Sequence, residues 1–252
     1  MNMIAVISDI HSNAVALRAV LDDIAARDIK RIICLGDLVG YGPEPLEVVK
    51  MAMDFEFTIK GNHDAAMLNG IPENFNPIAR RASEWTRNQI DPMKHTGIFS
   101  RTLKRTKEQC WKFLESLPIE VEMGTDLFLH DTPVSPGSSG YVYNTEEAKL
   151  AFKRNPHFRR FFIGHSHIPM IFTSSDLILP KHGKKYDFKG QHIVNVGSVG
   201  QPRDNDPRSC YVIGDDGITF IRVEYNVEET VQKILDNPEL DNFLARRLLL
   251  GK

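Results

Sequence analysis

The sequence predicts an α/β protein built on a layered sheet, and three observations carry that expectation. Short runs rich in β-branched residues alternate with amphipathic helical stretches between Met3 and Lys60. The first three of those runs each end in polar side chains of one chemical kind, and a second set of strand-like runs returns in the C-terminal half.

Met3 to Ser8 reads as a buried strand, and Asn13 to Arg27 as a helix, because Val15, Leu17, Val20, Leu21 and Ile24 recur at roughly helical spacing. The unit repeats. RIICLG (residues 31–36) is a strand, PEPLEVVKMA (43–52) a helix opened by proline, and FEFTIK (55–60) a third strand. From about Ile71 to Leu117 the chain turns polar and mostly helical, with Trp85, Trp111 and the basic run SRTLKRTK, and reads as a helical insertion or cap. Strands are expected again at 119–123, 126–129 and 160–163, with a helix at Thr145 to Arg154. MIFTSS, HIVNVGS, SCYVIGD and ITFIRVEY follow as a run of neighbouring strands, with Asp215-Asp216-Gly217 as a hairpin turn. Val227 to Leu250 is helical, in two pieces broken near Pro238. The length of 252 residues suits a single domain carrying the insertion at about 71–117.

Composition narrows the function. A formal net charge of −2 gives no global attraction to nucleic acid or an anionic membrane. No apolar run approaches the roughly 20 residues of a membrane span, and the N-terminus lacks the features of a secretory signal. Cys34, Cys110 and Cys210 are scattered without CxxC spacing. A cytoplasmic protein is expected, and oligomeric state is not legible.

The polar strand ends are Ser8-Asp9-Ile10-His11, Gly36-Asp37 and Gly61-Asn62-His63-Asp64, joined later by His130 after LFL and by His165 and His167 after FFIG. The carboxyl ends of strands in an open α/β sheet line the ligand crevice, so these residues are expected to converge. Asp9, His11, Asp37, Asn62, His130, His165 and His167 form a carboxylate, imidazole and carboxamide set without cysteine. Such a set suits manganese or iron, with zinc or nickel as further candidates, better than calcium. Seven ligands exceed one ion and fit two sharing a carboxylate, for which Asp37 is the expected bridge.

DIH, GDLVG, GNHD, the lone His130 and GHSH, in that order, resemble the five blocks of the calcineurin-like metallophosphoesterases, in particular a small phosphodiesterase-like branch. The resemblance implies a four-layer α/β/β/α sandwich of two mixed sheets flanked by helices. It implies one metal on Asp9, His11, Asp37 and His167, and another on Asp37, Asn62, His130 and His165. It also implies phosphoester hydrolysis by a metal-bridging hydroxide, with His63 unligated to stabilise the transition state or protonate the leaving oxygen. Asn62 and His63 are further expected against the substrate.

Phosphoprotein phosphatases of the family usually carry GDxVDRG, whereas this chain has GDLVGYG. Gly40 and Tyr41 therefore stand where an aspartate pairs with the catalytic histidine and an arginine grips phosphate. The stretch 195–213, NVGSVGQPRDNDPRSCYVI, is similar to a block of the phosphodiesterase-like branch, and Arg203 within it is a candidate phosphate ligand. The plainer alternative for Arg203 is a solvated turn residue. A small phosphodiester, with nucleotides as one class, is the expected substrate. A phosphomonoester or phosphoprotein is the runner-up, and a non-catalytic scaffold on the same fold is the alternative of another kind. Asp131, where relatives often have glycine, is expected either to perturb the second metal or to face solvent, and Asp64 either to shape its loop or to touch the chemistry. His95, His157, His182 and His192 are expected at the surface or in structural roles. Arg80, Arg81 and the basic run are expected on a solvated face, with a polyphosphate grip as the alternative.

Overall fold

The computed structural model describes residues 3–73, 75–94 and 101–252. The chain opens as β1 (Ile4–Ile7), α1 (Ala14–Ala26), β2 (Arg31–Cys34), α2 (Pro45–Ala52) and β3 (Phe57–Thr58). Asn13 starts α1 by accepting the Ala16 N–H at 3.1 Å, and Pro45 stands in the first turn of α2, where a missing N–H costs nothing. Three helices follow: α3 (Asn62–Asn69), α4 (Pro77–Ile90) and α5 (Arg101–Ser116). The remainder comprises β4 (Glu120–Met123), β5 (Asp126–Leu129), α6 (Thr145–Arg154), β6 (Arg160–Ile163), β7 (Met170–Phe172), β8 (Leu177–Ile178), β9 (Lys185–Tyr186), β10 (His192–Asn195), β11 (Ser209–Gly214), β12 (Ile218–Val223), α7 (Val227–Leu235) and α8 (Asn242–Leu250).

The strands form two mixed six-stranded sheets, ordered β3-β2-β1-β11-β12-β9 and β4-β5-β6-β10-β7-β8. Period-two alternation explains the layering. In β1, Ile4 and Val6 enter the core between the sheets, while Ala5 and Ile7 meet the buried faces of α1 and α2. In β6, Phe162 enters the same inter-sheet core and stacks on Phe128 at 4.9 Å, while Phe161 and Ile163 pack on Ala148, Ala151 and Phe152 of α6. Both faces of these strands are covered, which is why they read as unbroken hydrophobic runs. The four-layer sandwich follows.

Two expectations need correction. The four later runs are not one string of neighbours: β7 pairs with β10 in the second sheet, and β11 with β12 in the first. A strand buried on both faces carries no signal of which sheet it joins, and the two-residue strands β8 and β9 are too short to show periodicity. Helix α3 also begins at Asn62, inside the third polar cluster.

α7 and α8 pack with α4 around Tyr41 in a core of their own. Among the described residues, no helix is long and apolar enough to cross a membrane.

Candidate metal and catalytic site

β1, β2 and β3 run parallel in one sheet, as do β5 and β6 in the other, so their carboxyl ends deliver the polar clusters to one edge of the sandwich. Asp9, His11, Asp37, His63, His130, His165 and His167 are all buried there. Five of them occupy the left-handed region: Asp9 (φ 54°), His11 (48°), Asp37 (52°), His165 (66°) and His167 (61°). Each such residue costs about 1–3 kcal/mol, a strain that persists only where surroundings impose it. Backbone bonds between neighbouring strand ends impose it here, from Asp9 N–H to Gly36 O at 3.0 Å and from His11 N–H to Asp37 O at 2.9 Å. Gly164 lets the sheets meet at this edge, because a Cβ there would run into Ser8 Oγ and Asp9 Oδ2.

Donor atoms of Asp9, His11, Asp37 and His167 lie within 4.8 Å of one another, as do those of Asp37, His130 and His165. Asp37 belongs to both groups. Nδ1 of His11 donates to Val39 O at 3.0 Å and Nδ1 of His167 to Gln201 O at 2.7 Å, which leaves each Nε2 bare. Those two Nε2 atoms face each other at 3.1 Å, and Asp9 Oδ1, 3.2 Å from His167 Nε2, has no hydrogen-bond partner. Burial lowers the pKa of both rings, which disfavours a proton in the contact. Three buried acceptors aimed at one point make a setting that a cation would satisfy.

In the second group, His130 Nδ1 donates to Leu35 O at 2.8 Å, and its Nε2 lies 3.3 Å from Asp37 Oδ2 and 3.0 Å from Asn62 Oδ1. Burial disfavours the imidazolium, but Asp37 overrides it and raises His130 to about 10. Without metal, a proton therefore sits where a cation would bind. His165 is turned the other way: Nε2 meets Ser139 O at 3.1 Å, leaving Nδ1 as its free nitrogen. Burial pushes this ring down to about 4, neutral as a ligand requires. Burial works against ionising Asp37, yet His130 and His63 hold it well below the usual carboxylate range. All seven expected ligands are thus brought to one place.

His63 stands beside them. Its backbone N–H donates to Asp37 Oδ1 at 2.8 Å, its ring lies 4.6 Å from Tyr41 and 5.0 Å from Phe75, and burial lowers its pKa to about 4. Nδ1 is buried without a partner, and a Cβ on Gly40 would lie only 2.6 Å from it. Gly40 thus makes room for the imidazole, and Tyr41 packs against it at a tilt of 52°. Arg203 reaches the same cleft, its guanidinium 5.7 Å from the Tyr41 ring and its Nη2 on Gln201 Oε1 at 2.8 Å, while Nε is buried without a partner.

Asp64 accepts the N–H groups of Gly61 and Val39, tying two ligand loops together. Asp131 does not face solvent. It is buried and accepts from Gly137 N–H at 3.0 Å and Ser139 N–H at 2.6 Å, fixing the loop that offers Ser139 O to His165. Sequence reasoning missed the supporting residues Asn195, which donates to Gly164 O and Ser166 Oγ, and Ser198, which donates to Asp9 O. The block at 195–213 pointed to them, whereas the carbonyls of Leu35, Val39 and Gln201 left no mark in the side-chain pattern. His157 and His182 are exposed, His192 is buried at the start of β10, and His95 lies outside the described residues. Arg80 and Arg81 donate to the carbonyls of Pro72 and Pro238, and α5 exposes most of the basic run, of which Ser100 lies outside the described residues.

Comparison with known proteins agrees with this geometry. An uncharacterized protein of Methanocaldococcus jannaschii is 37% identical over 261 residues, covering 100% of this chain and 99% of the relative. A metallophosphoesterase from Sphaerobacter thermophilus superposes with a TM-score of 0.81 at 35% identity over 99% of each chain. A hypothetical protein from Pyrococcus horikoshii shares the fold, with a TM-score of 0.78 at 17% identity over 100% of this chain and 99% of its own. Residues 1–216 match the calcineurin-like phosphoesterase superfamily domain, and the chain belongs to that superfamily of metal-dependent phosphoester hydrolases.

Proposed function

We propose that the protein is a binuclear metal-dependent phosphodiesterase. The observation that carries the binuclear reading is Asp37, the one carboxylate common to two compact donor groups. Asp9, His11, Asp37 and His167 would hold one divalent ion, and Asp37, Asn62, His130 and His165 the other, with manganese or iron the best match to this donor set. When bound, such a pair neutralises phosphoryl oxygens and lowers the pKa of water from 15.7 towards about 7. The chain's own groups do the rest. Arg203 meets a non-bridging oxygen, Asn62 and His63 orient the ester, and His63, which burial keeps neutral, stabilises the charge on the departing oxygen through a ring N–H.

The diester preference is supported by what borders His63. Tyr41 fills the place of a phosphate-gripping arginine, leaving Arg203 as the guanidinium lining that part of the cleft, which suits the single negative charge of a diester. The test is hydrolysis of bis-p-nitrophenyl phosphate against p-nitrophenyl phosphate by chelator-stripped protein reloaded separately with manganese, iron, nickel, zinc or magnesium. Diester turnover restored by a transition metal and exceeding monoester turnover is expected. A dominant monoester activity would replace this reading with a phosphatase, and silence under every metal would favour a binding role.

A further inference from the structure

The cleft continues on both sides of the metal-binding residues, and the two sides differ in chemistry. One lobe, of about 230 Å3, is bordered by His63, Tyr41, Tyr141 and Arg203. The other, of about 430 Å3, is walled by Ala65, Ala66, Pro72, Phe75 and Ile119, with Lys60 at its border. Asn62, Phe75 and Ser139 line both, so the two lobes adjoin beside the second donor group. His63 lines only the smaller one.

A phosphodiester has two ester arms, and only one leaves. Water adds its oxygen to phosphorus, the bond to one arm breaks, and that arm's oxygen gains the proton, while the other arm stays on the phosphomonoester product. The departing oxygen must lie beside the group that stabilises its charge, the role assigned to His63. Resting on the phosphodiesterase reading, we propose that the leaving arm occupies the His63 and Arg203 lobe and that the larger lobe, the more apolar of the two, is a subsite for the retained arm. Its size falls within the range of small-molecule pockets, and Phe75 with the small side chains of α3 makes a slot for a flat group of aryl or nucleoside size. The second lobe gives a diester contacts that a monoester cannot use, and the retained arm is where this enzyme would discriminate among diesters.

The experiment uses two diesters with one leaving group, phenyl p-nitrophenyl phosphate and methyl p-nitrophenyl phosphate, each corrected for its alkaline hydrolysis rate. Wild-type protein should show a kcat/KM about tenfold or more in favour of the phenyl ester, the return on burying one aryl ring. Ala65→Phe, which fills the lobe, should erase that ratio, and Ile119→Ala, at an exposed wall position that folding tolerates, should narrow it. Calorimetric titration of wild type and Ala65→Phe with diphenylphosphinate and dimethylphosphinate, which lack a hydrolysable ester, reads the lobe without turnover, and Ala65→Phe should lose about tenfold of the advantage that the diphenyl compound has in wild type. Equal kcat/KM for the two diesters in wild type, or a preference unchanged by both substitutions, would overturn the assignment. Absence of any diester turnover with retained diphenylphosphinate selectivity would instead sink the phosphodiesterase reading and leave the lobe standing.

Discussion

The two ends of β6 are built on opposite terms. At its start, Arg160 donates Nε to Asp126 Oδ1 at 2.7 Å, Nη2 to Asp126 Oδ2 and Nη1 to Asp215 O at 2.8 Å, so a largely buried cation has its partners. Past its end, His165 and His167 sit in left-handed backbone, and around them Asp9 Oδ1, Ser8 Oγ and His63 Nδ1 are buried without hydrogen bonds. One strand thus joins a satisfied end to a strained one. Polar groups at the first end hold the sheets in register, whereas those at the second are kept unsatisfied by loops too well tied to relax, ready for cations and substrate.

That contrast can be broken most severely at Asp37. Asp37→Asn should cut activity by more than about 100-fold and lower the metal content of purified protein, measured by plasma mass spectrometry, because both ions lose a shared ligand. His63→Ala should lower turnover by about 100-fold to 10,000-fold with metal content unchanged, and intact turnover would remove His63 from the mechanism. At the satisfied end the effect moves from rate to stability. Arg160→Ala leaves Asp126 without its partner and should cost about 2 kcal/mol in urea melts, with turnover per folded molecule preserved.

The smallest effect belongs to His192, buried at the start of β10. Burial lowers its pKa and, against the bond to Gly190 O, the nearby Arg160 and Arg159 lower it further. The unfolded chain therefore takes up a proton, as pH falls below about 6.5, that the folded ring refuses, and stability falls with it. His192→Gln should flatten part of that acid-side decline relative to wild type. A difference between the two proteins that does not change with pH would show that the ring does not titrate differently in the two states.

How much of this was legible follows the same division. The candidate ligands could be picked out because each sits at the end of a hydrophobic run, and chemistry at strand ends is written in side chains. α6 and β6 were placed to the residue for a related reason, since their flanks carry Asn144 as a cap and Gly164 as a stop. The pairing of β7 and β11 into different sheets was not legible, because Met170-Ile171-Phe172 and Cys210-Tyr211-Val212 are apolar on both faces and either could lie in either sheet. The structural role of Asp131 was not legible for a local reason. Its neighbour His130 suggested metal, while its partners are the backbone N–H groups of Gly137 and Ser139, six and eight residues on.

The most direct measurement is anomalous scattering from crystals of manganese-loaded protein. The account predicts two peaks, one on each side of the Asp37 carboxylate and about 3.5–4 Å apart. A single peak, or two peaks that do not share Asp37, would contradict it.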